Sequence, residues 1–169
     1  MADAKMPAKR PHGRRAEAND EGSATVEFVA LSLLLLIPLV YLVLGFAQIQ
    51  AGALAAESAA ASAARAAVVE GVAEYESGSS RAHAMSVATG RANAVAAITV
   101  ENFGFSDDDA AVALTCDAQC LEPGSNITAR VRVDVPLPGM AGAFGGTFPL
   151  EVSVDAESRA PVDSVAVDR

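Results

Sequence analysis

Tryptophan is absent from this chain, and its aromatic residues are two Tyr and six Phe in 169 residues. A chain so poor in large rings builds its interior from small aliphatic side chains. What remains after the apolar runs are set aside fits one small domain with appendages, and leaves little bulk for a deep enzymatic cleft. Lysine does not occur after Lys9. Residues 23–169 hold seven Arg against seventeen acids, a balance of −10. Nucleic-acid binding is excluded as an expectation, because it needs clustered Lys and Arg against the phosphate backbone. Histidine is scarce too: His12 and His83 are far from each other and from the only cysteines, Cys116 and Cys120 in "CDAQC". A zinc site needs more ligands than these. The CxxxC spacing is not a redox signature, so a disulfide is the favoured reading over a metal or redox site.

One stretch has no charge at all. From Phe28 to Ala56 no Asp, Glu, Lys or Arg occurs, and the dense part, Phe28 to Ala47, is twenty residues. At about 1.5 Å per residue such a helix spans roughly 30 Å, the thickness of a bilayer core. A buried helix of a soluble protein would show a polar face, which "LSLLLLIPLVYLVLGF" lacks. A signal peptide would have a shorter apolar region. The segment therefore reads as a transmembrane helix over residues 23–47. Pro38 in its middle removes one backbone bond and is expected to kink or loosen it.

Before the span comes a leader, residues 1–22, with Lys5, Lys9, Arg10, Arg14 and Arg15. The positive-inside rule places this leader in the cytoplasm and the acidic body on the other side of a single-pass cell-membrane protein.

Beyond the span, residues 48–98 are Ala-rich and helical. Ala is the best helix former, and Gly71 and Ser77-Gly78 are stopping points. Leu54, Ala61, Val68 and Val72 mark a weakly apolar face. Helix-on-sheet packing within the domain and packing between subunits are both open for it. A second helix is expected from about Ser80 to Ile98, with Ser79 or Ser80 as cap. After residue 98 the period becomes two. "AVALTC", "NITARVRVDVPL" and "TFPLEVSVDAES" read as half-buried strands, the last with Phe148, Leu150, Val152 and Val154 on one side. Residues 99–169 are thus an extracytoplasmic β-rich region packing on the helices. The fold class is α+β, with a small antiparallel sheet as outer domain.

Chemistry-bearing patterns are few. "FSDDDA" lacks the ligand spacing of a calcium loop and reads as a solvated acidic turn. "NIT" at Asn126 is a glycosylation acceptor by pattern alone, and "GMAGAFGG" is no phosphate loop. His83 stands alone. The sequence offers no nucleophile–base set, no metal cluster and no cofactor fingerprint, so no enzyme activity and no cofactor are expected.

What stands out is "GSATVEF" at the mouth of the span. Gly22 is followed at Ser23, and Glu27 is the fifth residue after the glycine. With Glu27 before Phe28, an apolar run holding an internal Pro, and then "AAESAAASAARAAV", the region 22–69 resembles the TadE-like minor pseudopilins of the tight-adherence (Flp) pilus machinery. Glu21 stands where many such sites carry a basic residue. The resemblance implies cleavage after Gly22 by a prepilin peptidase on the cytoplasmic side. It implies an assembly role for Glu27 and Phe28, and as partners the membrane, the peptidase and other pilins or pseudopilins. Cleavage would remove all five leader bases and leave an amine on Ser23. An amine and a carboxylate near lipid are costly alone and cheaper as a pair, so Glu27 would act as a registry device toward a neighbouring subunit. The alternative is an uncleaved, single-span anchor carrying an extracellular binding domain.

Overall fold

The computed structural model of the protein describes residues 20–137 and 151–163, and residues 20–23 by their backbone alone. The described chain is α+β. Helix α1 is Asp20–Glu76 and α2 is Arg81–Asn102; a single 3₁₀ turn at Asp107–Asp109 leads into strands β1 (Ala110–Cys116), β2 (Asn126–Pro136) and β3 (Glu151–Pro161). The residues up to Val40 and those from Tyr41 onward form two compact units. The first unit's described part is the opening of α1.

In the second unit the strands form an antiparallel sheet in the order β1-β2-β3. The alternation seen in the sequence sets its faces. Ile127, Ala129, Val131, Val133 and Val135 of β2 are all buried. Between them, Arg130 and Arg132 are exposed on the other face. There the register sets Arg130 opposite Glu157 and Arg132 opposite Asp155. Arg130 reaches Glu157 at 2.5 Å and Asp155 at 3.9 Å. These are exposed pairs, so they fix register more than they add stability. The expected third strand began at Thr147. Phe148 and Leu150 lie outside the described residues, and the strand runs on to Pro161.

The helices cover the buried face of the sheet with alanine. Ala55, Ala56, Ala59, Ala60, Ala63, Ala64 and Ala67 of α1 are fully buried, as are Ala84, Ala88, Ala92 and Ala96 of α2. The two helices run antiparallel: Arg91 meets Glu70 at 3.6 Å, and His83 meets Glu74 at 3.6 Å. The face that the larger aliphatics marked meets this core in part: Val68 and Val72 are half-buried against it. Leu54 is 54% exposed. Small side chains win the interface because they let backbones approach closely.

Two glycines take this furthest. A Cβ on Gly52 would stand 2.2 Å from Val135 Cγ2, and one on Gly71 would stand 2.7 Å from Leu121 Cδ2 and 3.1 Å from the Ala88 Cβ. Gly71 therefore does not stop α1. It is a notch in which Leu121 lies, buried, in the left-handed backbone region at φ 67°. That conformation costs a leucine about 1–2 kcal/mol. Burial of its side chain offsets this by roughly 1.5–3 kcal/mol.

Gly78, at φ +93°, ends the turn after α1, and the Ser80 hydroxyl caps α2 by accepting from the His83 N–H at 3.3 Å. The helix then continues four residues past Ile98. Gly90 inside α2 is exposed, and nothing lies within 4 Å of its would-be Cβ. Gly90→Ala is therefore expected to stabilise the second unit by about 1 kcal/mol through helix propensity. Urea unfolding of the detergent-solubilised chain checks this. A destabilised variant would mean that this side of α2 is occupied.

Candidate functional site: the apolar helix and the disulfide loop

Among the described residues α1 is the helix long and apolar enough to cross a membrane. Every residue from Ala24 to Leu44 is exposed. Phe28 is 72% exposed and Leu34 73%. Such a surface is far larger than the apolar patches a water-soluble monomer carries, and it matches a bilayer in length. The stretch has few polar groups. Ser32 turns its hydroxyl back to donate to the Phe28 carbonyl at 2.7 Å, which satisfies it inside the helix. Pro38 lies within α1, and the helix continues through it.

Glu27 and Phe28 are both exposed at the start of this stretch. The backbone of Gly22 and Ser23 lies in the first turn of α1. Helical spacing sets Ser23 and Glu27 one turn apart on the same face. The Gly22–Ser23 bond is helical here. The first four N–H groups of a helix have no acceptor within it, so a first turn unwinds at low cost. If the chain began at Ser23, Glu27 would lie within the first turn or so of the helix, where the macrodipole favours a carboxylate.

The other candidate residues lie at one end of the second unit. Cys116 closes β1 and is bonded to Cys120, with 5.5 Å between their Cα atoms. The loop that follows is tied down three ways. Leu121 fills the Gly71 notch. Arg81, at the start of α2, donates to Glu122 at 2.8 Å and to the side-chain oxygen of Gln119, and its guanidinium lies 5.5 Å from the centre of the Tyr75 ring. Asp117 accepts from the Asn126 backbone at 2.8 Å and from its side-chain amide at 2.6 Å. These two bonds, backbone first, hold the Asp117 carboxyl below its usual range. The amide of Asn126, the glycosylation acceptor by pattern, is thus engaged by Asp117.

The sequence did not single out Arg81 or Leu121, and it marked Gly71 as a stop rather than a notch. Their roles arise from contacts across some forty residues of chain, which no local pattern carries. The acidic turn is local by contrast. Asp109 accepts from the Ser106 N–H at 2.9 Å, and Asp108 N–H donates to Asp107 at 3.0 Å. No group of three or more His, Cys, Asp or Glu side chains able to hold a metal occurs among the described residues.

The disulfide closes a very short ring, so it removes only a little freedom from the unfolded chain, worth about 2 kcal/mol. Replacing both cysteines by Ser is expected to lower the unfolding free energy of the second unit by about that amount, and a reductant should do the same to the parent protein. Denaturant titration with and without reductant reads it. No loss would show that Leu121 and Arg81 hold the loop unaided.

Comparison of the chain with protein-family models, with curated proteins and with solved structures finds no match. What the chain shares with a compatible membrane anchor is therefore physical: one long, exposed, uncharged helix near its N-terminus.

Proposed function

We propose that this chain is a pseudopilin-like structural component of a tight-adherence pilus machinery, cut after Gly22 by a prepilin peptidase. One observation carries the reading: the order of features along α1. A basic leader, Gly22-Ser23, Glu27-Phe28 and a bilayer-length apolar run follow one another, and the same helix then turns an alanine face into its own domain. In this reading the leader stays in the cytoplasm, Phe28–Ala47 spans the membrane, and the outer unit lies on the far side, where the Cys116–Cys120 disulfide persists. The role is structural, with the membrane, the peptidase and other pilins or pseudopilins as partners.

The alternative is an uncleaved anchor displaying a binding domain. It is favoured by the helical state of the Gly22–Ser23 bond and by a groove of about 490 Å³ beside α1, lined by Arg65, Val68, Val69, Val72 and Pro161 among others. Mass spectrometry of the membrane-extracted protein from its own host separates the two. A mature chain starting at Ser23 is the expected result. A chain that keeps its leader in cells with an active peptidase overturns the pseudopilin reading and leaves the anchored domain.

A further inference from the structure

The sheet has two edges, and they are built differently. β3 carries Glu151, Asp155, Glu157, Arg159 and Pro161. Charges and proline of this kind guard an edge against further pairing. β1, "AAVALTC", has no charged residue and no proline. Among the described residues it pairs with β2 alone.

The ladder fixes which groups face outward. The Asp117 N–H donates to the Asn126 carbonyl at 3.4 Å, which continues the β1–β2 register by one residue. Along an antiparallel pair, bonded and non-bonded positions alternate. Ala111, Ala113 and Thr115 therefore exchange their backbone bonds with β2, and the N–H and C=O groups of Val112 and Leu114 point to the open edge. The side chains of these two residues are half-buried against the core. Their partners on β2, Val131 and Ala129, are fully buried. An added strand would pair with the open backbone groups and cover the half-buried side chains.

The ends of β1 set the charge of what fits there. Asp107 and Asp108 are exposed just before it, Glu101 is exposed near the end of α2, and Asp117 is exposed just after it. The bases of β2, Arg130 and Arg132, stand across from Ala113 and Ala111 in mid-strand, and Arg130 is engaged by Asp155 and Glu157. A second copy of this chain is a poor occupant. Pairing all of β1 antiparallel with its own copy sets Ala113 opposite itself and Asp109 opposite Asp117 at both ends. Like charges directly opposite each other destabilise a ladder.

We propose that the open edge of β1 accepts an extended segment of another protein, alternating and partly apolar in its middle and carrying Lys or Arg where it meets Asp107–Asp109. The inference depends neither on the membrane span nor on cleavage after Gly22.

The test uses the full chain in detergent micelles and a fluorescent synthetic peptide, RRTVTVTVRR, read by anisotropy. Two further peptides are compared with it: EETVTVTVEE, and the arginine peptide methylated on the backbone nitrogens of its Thr and Val residues. The expected result is saturable binding of the first, severalfold weaker binding of the second and none of the third. Val112→Pro removes an outward N–H but no bond to β2, a place where an edge strand tolerates proline. It should weaken binding severalfold while Val112→Ala does not. Should the proline variant not fold, the Asp107→Asn, Asp108→Asn double variant decides, because it leaves the strand intact and should lose most of the preference for arginine ends. Equal binding of the methylated peptide overturns the inference, because the acids alone would then be the attraction. Equal binding of the acid-ended peptide, or no binding of any, also overturns it. So does self-association of the parent chain that Val112→Pro abolishes, because a second copy would then hold the edge.

Discussion

Gly52→Ala is expected to destabilise the second unit, although the same change at Gly90 is expected to stabilise it. Both glycines are in helices, so alanine gains about 1 kcal/mol of helix propensity at each. The difference is space. The new methyl at residue 52 would stand 2.2 Å from Val135 Cγ2, 3.3 Å from Val154 Cγ2 and 3.6 Å from the Phe105 ring. Carbon atoms are in contact at roughly 3.5–4.0 Å, so the first of these distances is a hard overlap. Val135 cannot swing away easily, because it is fully buried and a β-branched side chain has few rotamers. The helix must lift off the sheet, and overpacking of this kind costs about 1–3 kcal/mol or more. With so hard an overlap the cost lies at the top of that range, and the net expectation is a loss of about 2 kcal/mol for alanine. For Gly52→Leu it is failure of α1 to seat on the sheet, read as rapid proteolysis of the second unit.

The double variant Gly52→Ala, Val135→Ala is the sharper measurement. Trimming Val135 removes the overlapping methyl, so the pair should be more stable than the sum of the singles, by a coupling of about 1 kcal/mol or more. Urea titration of all four proteins gives the cycle. Additive effects, or a Gly52→Ala protein as stable as Gly90→Ala, would show that α1 does not lie on β2 at this point. Gly71→Ala is a milder case. Its nearest obstacle is the far end of the Leu121 side chain, which can turn aside.

These glycines also show where the sequence could be read and where it could not. The strands were legible because burial on one face of a sheet writes a period of two. Ile127 to Val135 follow it without a break. The cap at Ser80 and the turn at Gly78 were legible because they are decided by neighbours within a few residues. The packed face of α1 was legible only in part. Periodicity arguments weight large aliphatic side chains, and so pointed to Leu54 along with Val68 and Val72, of which only the valines pack against the core. A helix that must lie close to both a sheet and a second helix buries its smallest residues, and alanine is everywhere along it. Gly71 looked like a stop for the same reason: a glycine is a break or a notch depending on what packs against it. The membrane-length run needed no structure to be seen. Glu27 and Gly22-Ser23 were legible only as an order of residue types before an apolar run.

Glu27→Ala and Glu27→Gln are expected to leave membrane insertion unchanged and to abolish incorporation into an assembled pilus. Insertion should survive because removing an acid from the edge of an apolar segment makes transfer into lipid easier. Assembly should fail for an electrostatic reason. In the proposed pair, the carboxylate of one subunit meets the Ser23 amine of its neighbour at the membrane boundary, away from bulk water. Removing one partner of such a pair leaves the other charge uncompensated, at a cost of about 3–5 kcal/mol. That weakens the contact by roughly a hundredfold or more, enough to deplete an assembly held at modest concentration. Glutamine is the informative substitution, because it keeps the shape and removes only the charge. If Gln assembles and Ala does not, the side chain acts by packing or by a neutral hydrogen bond. Carbonate-resistant membrane content measures insertion, and the amount in sheared surface appendages measures assembly. Parental assembly by Glu27→Ala would remove the registry role altogether. The acid would then be a boundary residue whose carboxylate reaches the interface, and the case for a pseudopilin would rest on the Gly22–Ser23 cut alone.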